Sequence, residues 1–394
     1  MHRRLAGALA FVVALLATPA FAIMSTTAEH ALLMDGATGQ VLWAKDAFTP
    51  MPPASMSKLM TLELLFQRLK DGRLHLDDRL PVSQRAWAER SGSECFVAIG
   101  DRMRIEDLIR CIIIVSGNDS CITVAEGIGG TVEGFVDMMN ARARELGLRN
   151  SHFVNPDGLP DPPGQMMSAY DLATLARHII TTYPQYYHYF SERDFVWSGI
   201  HQPNRNTVLE KFSGADGLKT GHIDASGYGI TVSANRGGRR LILVLNGLRY
   251  PDLDRDSPQR RDWFAEQRRG DEAARLLETG YREFRQYRLY KANEIIGKAQ
   301  VTGGTESEVP VTVKSDVMPT LQVDSRPGLK VAVHYNSPLK APIAQGQTVG
   351  ALSITAPDFP GMTVPVVAAA AVPEPGLLGK ILLRFESLIF RKHG

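Results

Sequence analysis

The chain has 394 residues, with 44 basic against 42 acidic side chains for a net charge of +2. That length accommodates two domains and a core that needs no disulfide staple. The balanced charge, with no basic stripe interleaved with aromatics, excludes the electrostatic footprint of a nucleic-acid binder. Arg3 and Arg4, the apolar run over 5–16 and the small-x-small site Ala20-Phe21-Ala22 read as a cleaved export signal over 1–22, so that the mature chain begins at Ile23. The apolar run is too short to span a bilayer and ends at Pro19. Export implies an oxidising compartment, yet the three cysteines, Cys95, Cys111 and Cys121, show no metal-ligand spacing, and at least one stays unpaired in a monomer. Cys121, in a stretch that reads as buried helix, is taken as a small core hydrophobe.

Ala31-Leu32-Leu33-Met34 and Val41-Leu42-Trp43, joined through a Gly-containing turn, predict a hairpin. After Pro50-Met51-Pro52-Pro53-Ala54, the stripe Leu59, Leu62, Leu65 and Phe66 predicts a helix whose first turn holds Ser55 and Lys58. Further helices are predicted over 104–115, 132–146 and 169–182, and strands over 227–233 and 241–245 about the turn Asn235-Arg236-Gly237-Gly238. The charged stretch 249–269 reads as an exposed insertion rather than core, and a helix over 272–284 closes the first domain. Beyond Tyr290, apolar residues such as Val309, Val311 and Val313, or Val331, Val333 and Tyr335, alternate with polar ones, which predicts an all-β second domain without a chemical cluster of its own. The division is therefore a signal over 1–22, a first domain over 23–285, a β domain over 286–367, a small-residue and proline linker over 368–375, and a final helix over 376–394. In that last segment Leu377, Ile381, Phe385 and Leu388 share one helical face while Lys380, Arg384, Arg391 and Lys392 lie elsewhere, a pattern suited to an anionic membrane surface.

Three motifs carry chemistry: Ser55-Met56-Ser57-Lys58, Ser116-Gly117-Asn118 and Lys219-Thr220-Gly221. A serine hydroxyl is a poor nucleophile until a base takes its proton, and no Ser, His and Asp set in a usual triad order is apparent. Lys58, one helical turn away, is the available base. Burial and the nearby cation Lys219 would disfavour its ammonium form. Ser116 and Asn118 would complete a hydrogen-bonded relay from Lys58 to the leaving nitrogen. Ser337-Pro338-Leu339-Lys340 repeats the Ser-x-x-Lys spacing, but its prolines hold it extended, where positions i and i+3 do not meet. Ser233-Ala234-Asn235 mimics the second motif, yet follows the third and runs into a turn.

The stretches Pro53-Ala54-Ser55-Met56-Ser57-Lys58-Leu59-Met60-Thr61, Ser116-Gly117-Asn118-Asp119-Ser120-Cys121, Asn204-Arg205-Asn206 and Asp216-Gly217-Leu218-Lys219-Thr220-Gly221-His222 resemble the low-molecular-mass penicillin-binding D-alanyl-D-alanine carboxypeptidases. The resemblance implies an α+β fold, a β-lactamase-like catalytic domain followed by a β stalk and a membrane foot. It further implies removal of the terminal D-alanine from peptidoglycan stem pentapeptides through an acyl-enzyme on Ser55, inhibition by penicillin and other β-lactams, no cofactor, and residence on the periplasmic face of the inner membrane. In the family the Lys-Thr-Gly strand lines the substrate, which here places the oxyanion between the backbone N–H groups of Ser55 and His222. Gly221 allows close approach, Lys219 and Thr220 lie near the substrate carboxylate, and Arg205 is a candidate to orient it. The stretch 254–269 departs from the family pattern.

The nearest rival is a class A β-lactamase, which activates water with a glutamate. No glutamate lies between Glu145 and Glu192, and Glu145-Leu146-Gly147-Leu148-Arg149 places Arg149 where that motif has asparagine. The proline-rich loop 155–168 instead resembles the carboxypeptidases. A catalytically idle peptidoglycan-binding module is the reading from another class, against which the intact Ser55, Lys58, Ser116, Asn118 and Lys219 weigh.

Overall fold

Five antiparallel strands organise the first domain of the computed structural model, which describes residues 24–89 and 92–376. β1 (His30–Asp35) and β2 (Val41–Lys45) form the predicted hairpin, and β3 (Ala215–Ile223), β4 (Gly227–Arg236) and β5 (Arg239–Leu248) complete the sheet in the order β2-β1-β5-β4-β3. The inner strands are apolar on both faces because both are covered. Side chains alternate along a strand, so Leu32, Ile242 and Val244 enter one core, while Leu33, Leu241, Leu243 and Leu245 enter a second core on the opposite face.

The first core lies beneath a helical lobe made of α1 (Lys58–Lys70), α2 (Ile105–Arg110), α3 (Asn118–Gly129), α4 (Val132–Glu145) and α5 (Ala169–Thr182). Two starts are fixed by side-chain caps: Thr131 Oγ1 accepts from Gly134 N at 3.0 Å and Ser168 Oγ from Asp171 N at 3.1 Å. The helix expected over 104–115 is α2 followed by a wider π turn, Cys111–Val115. Cys95 and Cys111 form a disulfide, and Cys121 is free and buried.

The charged stretch is where the sequence reading needs correction. Rather than an exposed insertion, it contains a short turn at Pro251–Leu253 and the start of α6 (Pro258–Glu283), a 26-residue helix that begins well before the expected 272. Ala265, Ala273, Leu276, Leu277 and Gly280 bury its inner face against the sheet, and Arg269 is buried with them. Small residues supply half of that stripe, so arginines and acids on the outer face dominate the local composition and hide the amphipathic period.

The second domain is a six-stranded sheet of β6 (Ile295–Thr302), β7 (Glu308–Thr312), β8 (Lys330–Tyr335), β9 (Leu339–Lys340), β10 (Thr348–Ala356) and β11 (Phe359–Ala368), in the order β8-β10-β11-β7-β6-β9. Its core includes Val309, Val311, Leu352 and Ile354. Packing continues past the last strand, for Val372 is buried and exchanges backbone hydrogen bonds with Ile343. Asp35 at the end of β1 meets this half of the chain, accepting from Thr320 Oγ1 at 2.7 Å. The export signal over 1–22 and, beyond Gly376, the amphipathic helix over 376–394 lie outside the described residues.

Candidate active site

Ser55 sits in a single 3-10 turn, Ala54–Ser57, that feeds directly into α1. The two prolines before it prevent an earlier helix start, and the tight turn brings Ser55 and Lys58 together much as a first α turn would. Edge strand β3 runs alongside this turn. A Cβ on Gly221 would lie only 3.0 Å from Pro53 O and 3.1 Å from Met56 N, so glycine is what allows the strand to approach the serine this closely. From the other side Gly158, at φ +85°, leaves no room for a Cβ, which would stand 2.1 Å from Ala54 O.

Lys58 Nζ is completely buried and has three partners: Ser55 Oγ at 2.7 Å, Asn118 Oδ1 at 2.7 Å and the Asp157 carbonyl at 2.5 Å. Burial is the main force lowering its pKa, joined by the Arg205 cation and opposed by the nearby acids Asp157 and Asp119. A neutral amine has two N–H donors and one lone pair. The amide oxygen and the carbonyl can only accept, so in a neutral Lys58 they would take both donors and leave the lone pair facing Ser55 Oγ, 2.7 Å away.

Ser116 takes up the left-handed conformation, φ 67° and ψ 28°, between the π turn and α3. This is an uncommon state for a residue with a Cβ, and such states collect at functional sites. Its Oγ accepts from Lys219 Nζ at 2.9 Å, and Lys219 also donates to Thr220 O at 3.1 Å. Burial, reinforced by the charges of Lys58 and Arg205, pushes Lys219 well below the usual lysine range. His222 is lowered as well, chiefly by burial, and its ring stacks on Tyr228 with centroids 3.8 Å apart.

Six of the nine residues singled out in the sequence, Ser55, Ser116, Arg205, Thr220, Gly221 and His222, line one cleft of about 530 Å³. The other three, Lys58, Asn118 and Lys219, are buried, with Lys58 bonded to Ser55 and Asn118, and Lys219 to Ser116. The two look-alike motifs lie apart: Leu339–Lys340 is a strand of the second domain, and Ser233 lies within β4, where it accepts from Arg240. Burial pushes the Cys121 thiol up to about 12, as suits a neutral core group.

The geometry also brings in residues that the motifs did not reveal. Asp157 contributes its carbonyl to Lys58, while its own side chain accepts from Leu159 N at 3.0 Å. Ser93 Oγ accepts from Arg205 Nη1 at 2.6 Å, and the buried Arg269 donates to Arg205 O at 3.1 Å. The turn signature Asn155-Pro156-Asp157-Gly158 was the only local signal for any of these.

A family model described as D-alanyl-D-alanine carboxypeptidase matches residues 17–248, and one described as the C-terminal domain of penicillin-binding protein 5 matches 284–374. The chain belongs to the D-alanyl-D-alanine carboxypeptidase family. This carboxypeptidase is 34% identical to the D-alanyl-D-alanine carboxypeptidase DacD of Salmonella typhimurium over 362 residues, covering 90% of the chain and 89% of the relative. Its fold superposes on penicillin-binding protein 5 from Haemophilus influenzae with a TM-score of 0.79 at 31% identity, covering 89% of this chain and 99% of that one. It is also similar to penicillin-binding protein D2 of Listeria monocytogenes in the cefotaxime-bound form, with a TM-score of 0.57, 26% identity, and coverage of 66% of this chain and 98% of that one. The carboxypeptidase is thus a serine-type hydrolase with the α+β fold and all-β C-terminal domain that the resemblance implied.

Proposed function

We propose that Ser55 attacks the carbonyl of the penultimate D-alanine of a peptidoglycan stem pentapeptide, forms an acyl-enzyme and releases the terminal D-alanine. The observation that carries this reading is the set of partners around Lys58, two obligate acceptors and the Ser55 hydroxyl, which together present a lone pair to the nucleophile's proton. Lys58 takes that proton, Asn118 Oδ1 holds the amine in place, and the Ser116 hydroxyl gives its proton to the leaving nitrogen and is reprotonated from Lys58. The backbone N–H groups of Ser55 and His222 receive the developing oxyanion, where fixed dipoles act in a site partly withdrawn from water. Lys219, Thr220 and Arg205 hold the terminal carboxylate, and Gly221 lets the peptide lie along β3.

β-Lactams occupy the same cleft and acylate Ser55. Deacylation of such an adduct is slow, because the loop 155–168 contains no glutamate and the Asp157 carboxyl is buried against Leu159 N. The division at 22, 285 and 375, with the β domain carried on past 367 to the buried Val372, export, and attachment to the outer face of the inner membrane through the basic, amphipathic segment 376–394 complete the proposal. No helix among the described residues is long and apolar enough to cross a membrane.

The test is incubation of the purified mature protein with a muropeptide ending in D-Ala-D-Ala, reading free D-alanine and the tetrapeptide. Ser55→Ala abolishes release and labelling by fluorescent penicillin, and Ser337→Ala changes neither. No release by folded wild-type protein, or equal release from an L-alanine-terminated control, would refute the assignment.

A further inference from the structure

The loop that carries Ser93 is tied to the Ser116 turn covalently as well as by hydrogen bonds. Cys95, two residues beyond Ser93, is joined to Cys111, the first residue of the π turn that leads into Ser116. Both half-cystines are fully buried. On the loop side Ser93 O accepts from Asn118 N at 2.8 Å, and Cys95 N donates to the Asp119 carboxylate at 2.9 Å. On the turn side Cys111 O accepts from Gly117 N at 2.9 Å.

Between Gly92 and Ala98 the loop has neither helix nor strand, so no backbone ladder fixes it in place. At its tip, Ser93 Oγ receives the one hydrogen bond that the Arg205 guanidinium makes among the described residues. Arginine is a long side chain with many rotamers, and a guanidinium ordered before substrate arrives spares the cost of ordering it on binding.

We propose that the Cys95–Cys111 crosslink is a positioning element for substrate recognition: it fixes the loop so that the Ser93 hydroxyl aims Arg205 at the substrate's terminal carboxylate. This rests on the reading of Arg205 given above. The proton-transfer groups stay in place without the crosslink, because Lys58 and Asn118 are fixed by α1, α3 and the Asp157 carbonyl, and Ser116 keeps its bond from Lys219 Nζ and the adjoining Gly117 N to Cys111 O bond. The loss on breaking it therefore falls on carboxylate binding rather than on the chemical step.

The experiment compares two depsipeptides, an acyl-D-alanyl-D-lactate with a free carboxylate and its methyl ester without one, on wild type, C95A/C111A, S93A and the triple variant. Wild type prefers the free acid. In C95A/C111A the kcat/KM for the acid falls about tenfold, the scale of one hydrogen bond to a charged group. The fall is carried by KM, and the methyl ester is turned over as before. S93A shows the same loss of selectivity, and the triple variant adds nothing to it. If circular dichroism shows C95A/C111A unfolded, C95A/C111V, which refills the volume, is measured in its place.

Equal loss on both substrates would reduce the crosslink to a general structural staple and overturn the proposal. Unchanged selectivity in either the crosslink variant or S93A would overturn it too. A wild-type enzyme that releases no D-alanine from peptide would instead remove the reading beneath it, and the proposal with it.

Discussion

Lys58→Met keeps the length and apolar stem of the side chain while removing the amine, and its effects on rate and on stability should separate. General-base work contributes about 10²- to 10⁴-fold, so D-alanine release should fall by that factor, roughly 3–5 kcal/mol of barrier. Stability responds to two opposing effects. Asn118 Oδ1 and the Asp157 carbonyl lose their donor, which costs about 1–3 kcal/mol each if nothing replaces it. Against this, the variant no longer holds in the fold an amine whose pKa burial has pushed below its ordinary 10.5. Between the depressed folded value and 10.5 the unfolded chain binds this proton and the native state does not, so wild-type stability climbs as pH rises. The climb is about 1.4 kcal/mol per pH unit for a single group over that window. Lys58→Met lacks this dependence, and it also relieves Lys219, whose own depression comes partly from Lys58. The variant is therefore at its most favourable relative to wild type at low pH and loses that advantage as pH approaches 10.5. Urea unfolding of both proteins at intervals from about pH 7 to 10 reads the difference directly. A difference in unfolding free energy that stays flat with pH would refute a depressed Lys58, and retained D-alanine release would refute its role as base.

Gly158→Ala should force the loop away from the Ser55 turn, since its Cβ would stand 2.1 Å from Ala54 O and 2.6 Å from Ser57 Oγ. The expected result is a loss of order 10²-fold in kcat with about 1–3 kcal/mol of destabilisation, read by peptide assay and thermal melting. Mass spectrometry of the benzylpenicillin adduct should find it persisting on Ser55, whereas loss within seconds would favour the β-lactamase alternative. Truncation after Pro375 should move the protein from the membrane to the soluble fraction with hydrolysis of a soluble peptide unchanged. A truncated protein that still pellets, or one that loses activity, would show the segment to be part of the fold instead of an anchor.

Where chemistry depends on short spacing, the sequence by itself was enough. Ser55 and Lys58 are one tight turn apart, Ser116 and Asn118 flank a single glycine, and Lys219 to Gly221 share a strand, so local geometry alone dictates how each motif is arranged. The helices Val132–Glu145 and Ala169–Thr182 were legible for the same reason, since an amphipathic period and a capping Thr131 or Ser168 are properties of neighbouring residues. α6 shows the limit of that reasoning. Its buried stripe is built partly from Ala265, Ala273 and Gly280, and only the sheet packed against them shows that these small residues, and Arg269 among them, face inward.

Tertiary structure alone decided which distant groups complete the site. Asp157 is 99 positions from Lys58 and Ser93 is 112 from Arg205, separations at which no local periodicity links the partners. The three cysteines allowed several pairings until the fold brought Cys95 and Cys111 to a Cα separation of 5.7 Å and left Cys121 free and buried. The depressed affinity of Lys58 for its proton has the same origin. The motif supplies the amine next to the serine, but the withdrawal from water that lowers its pKa is the work of α3, the 155–168 loop and the sheet closing over it.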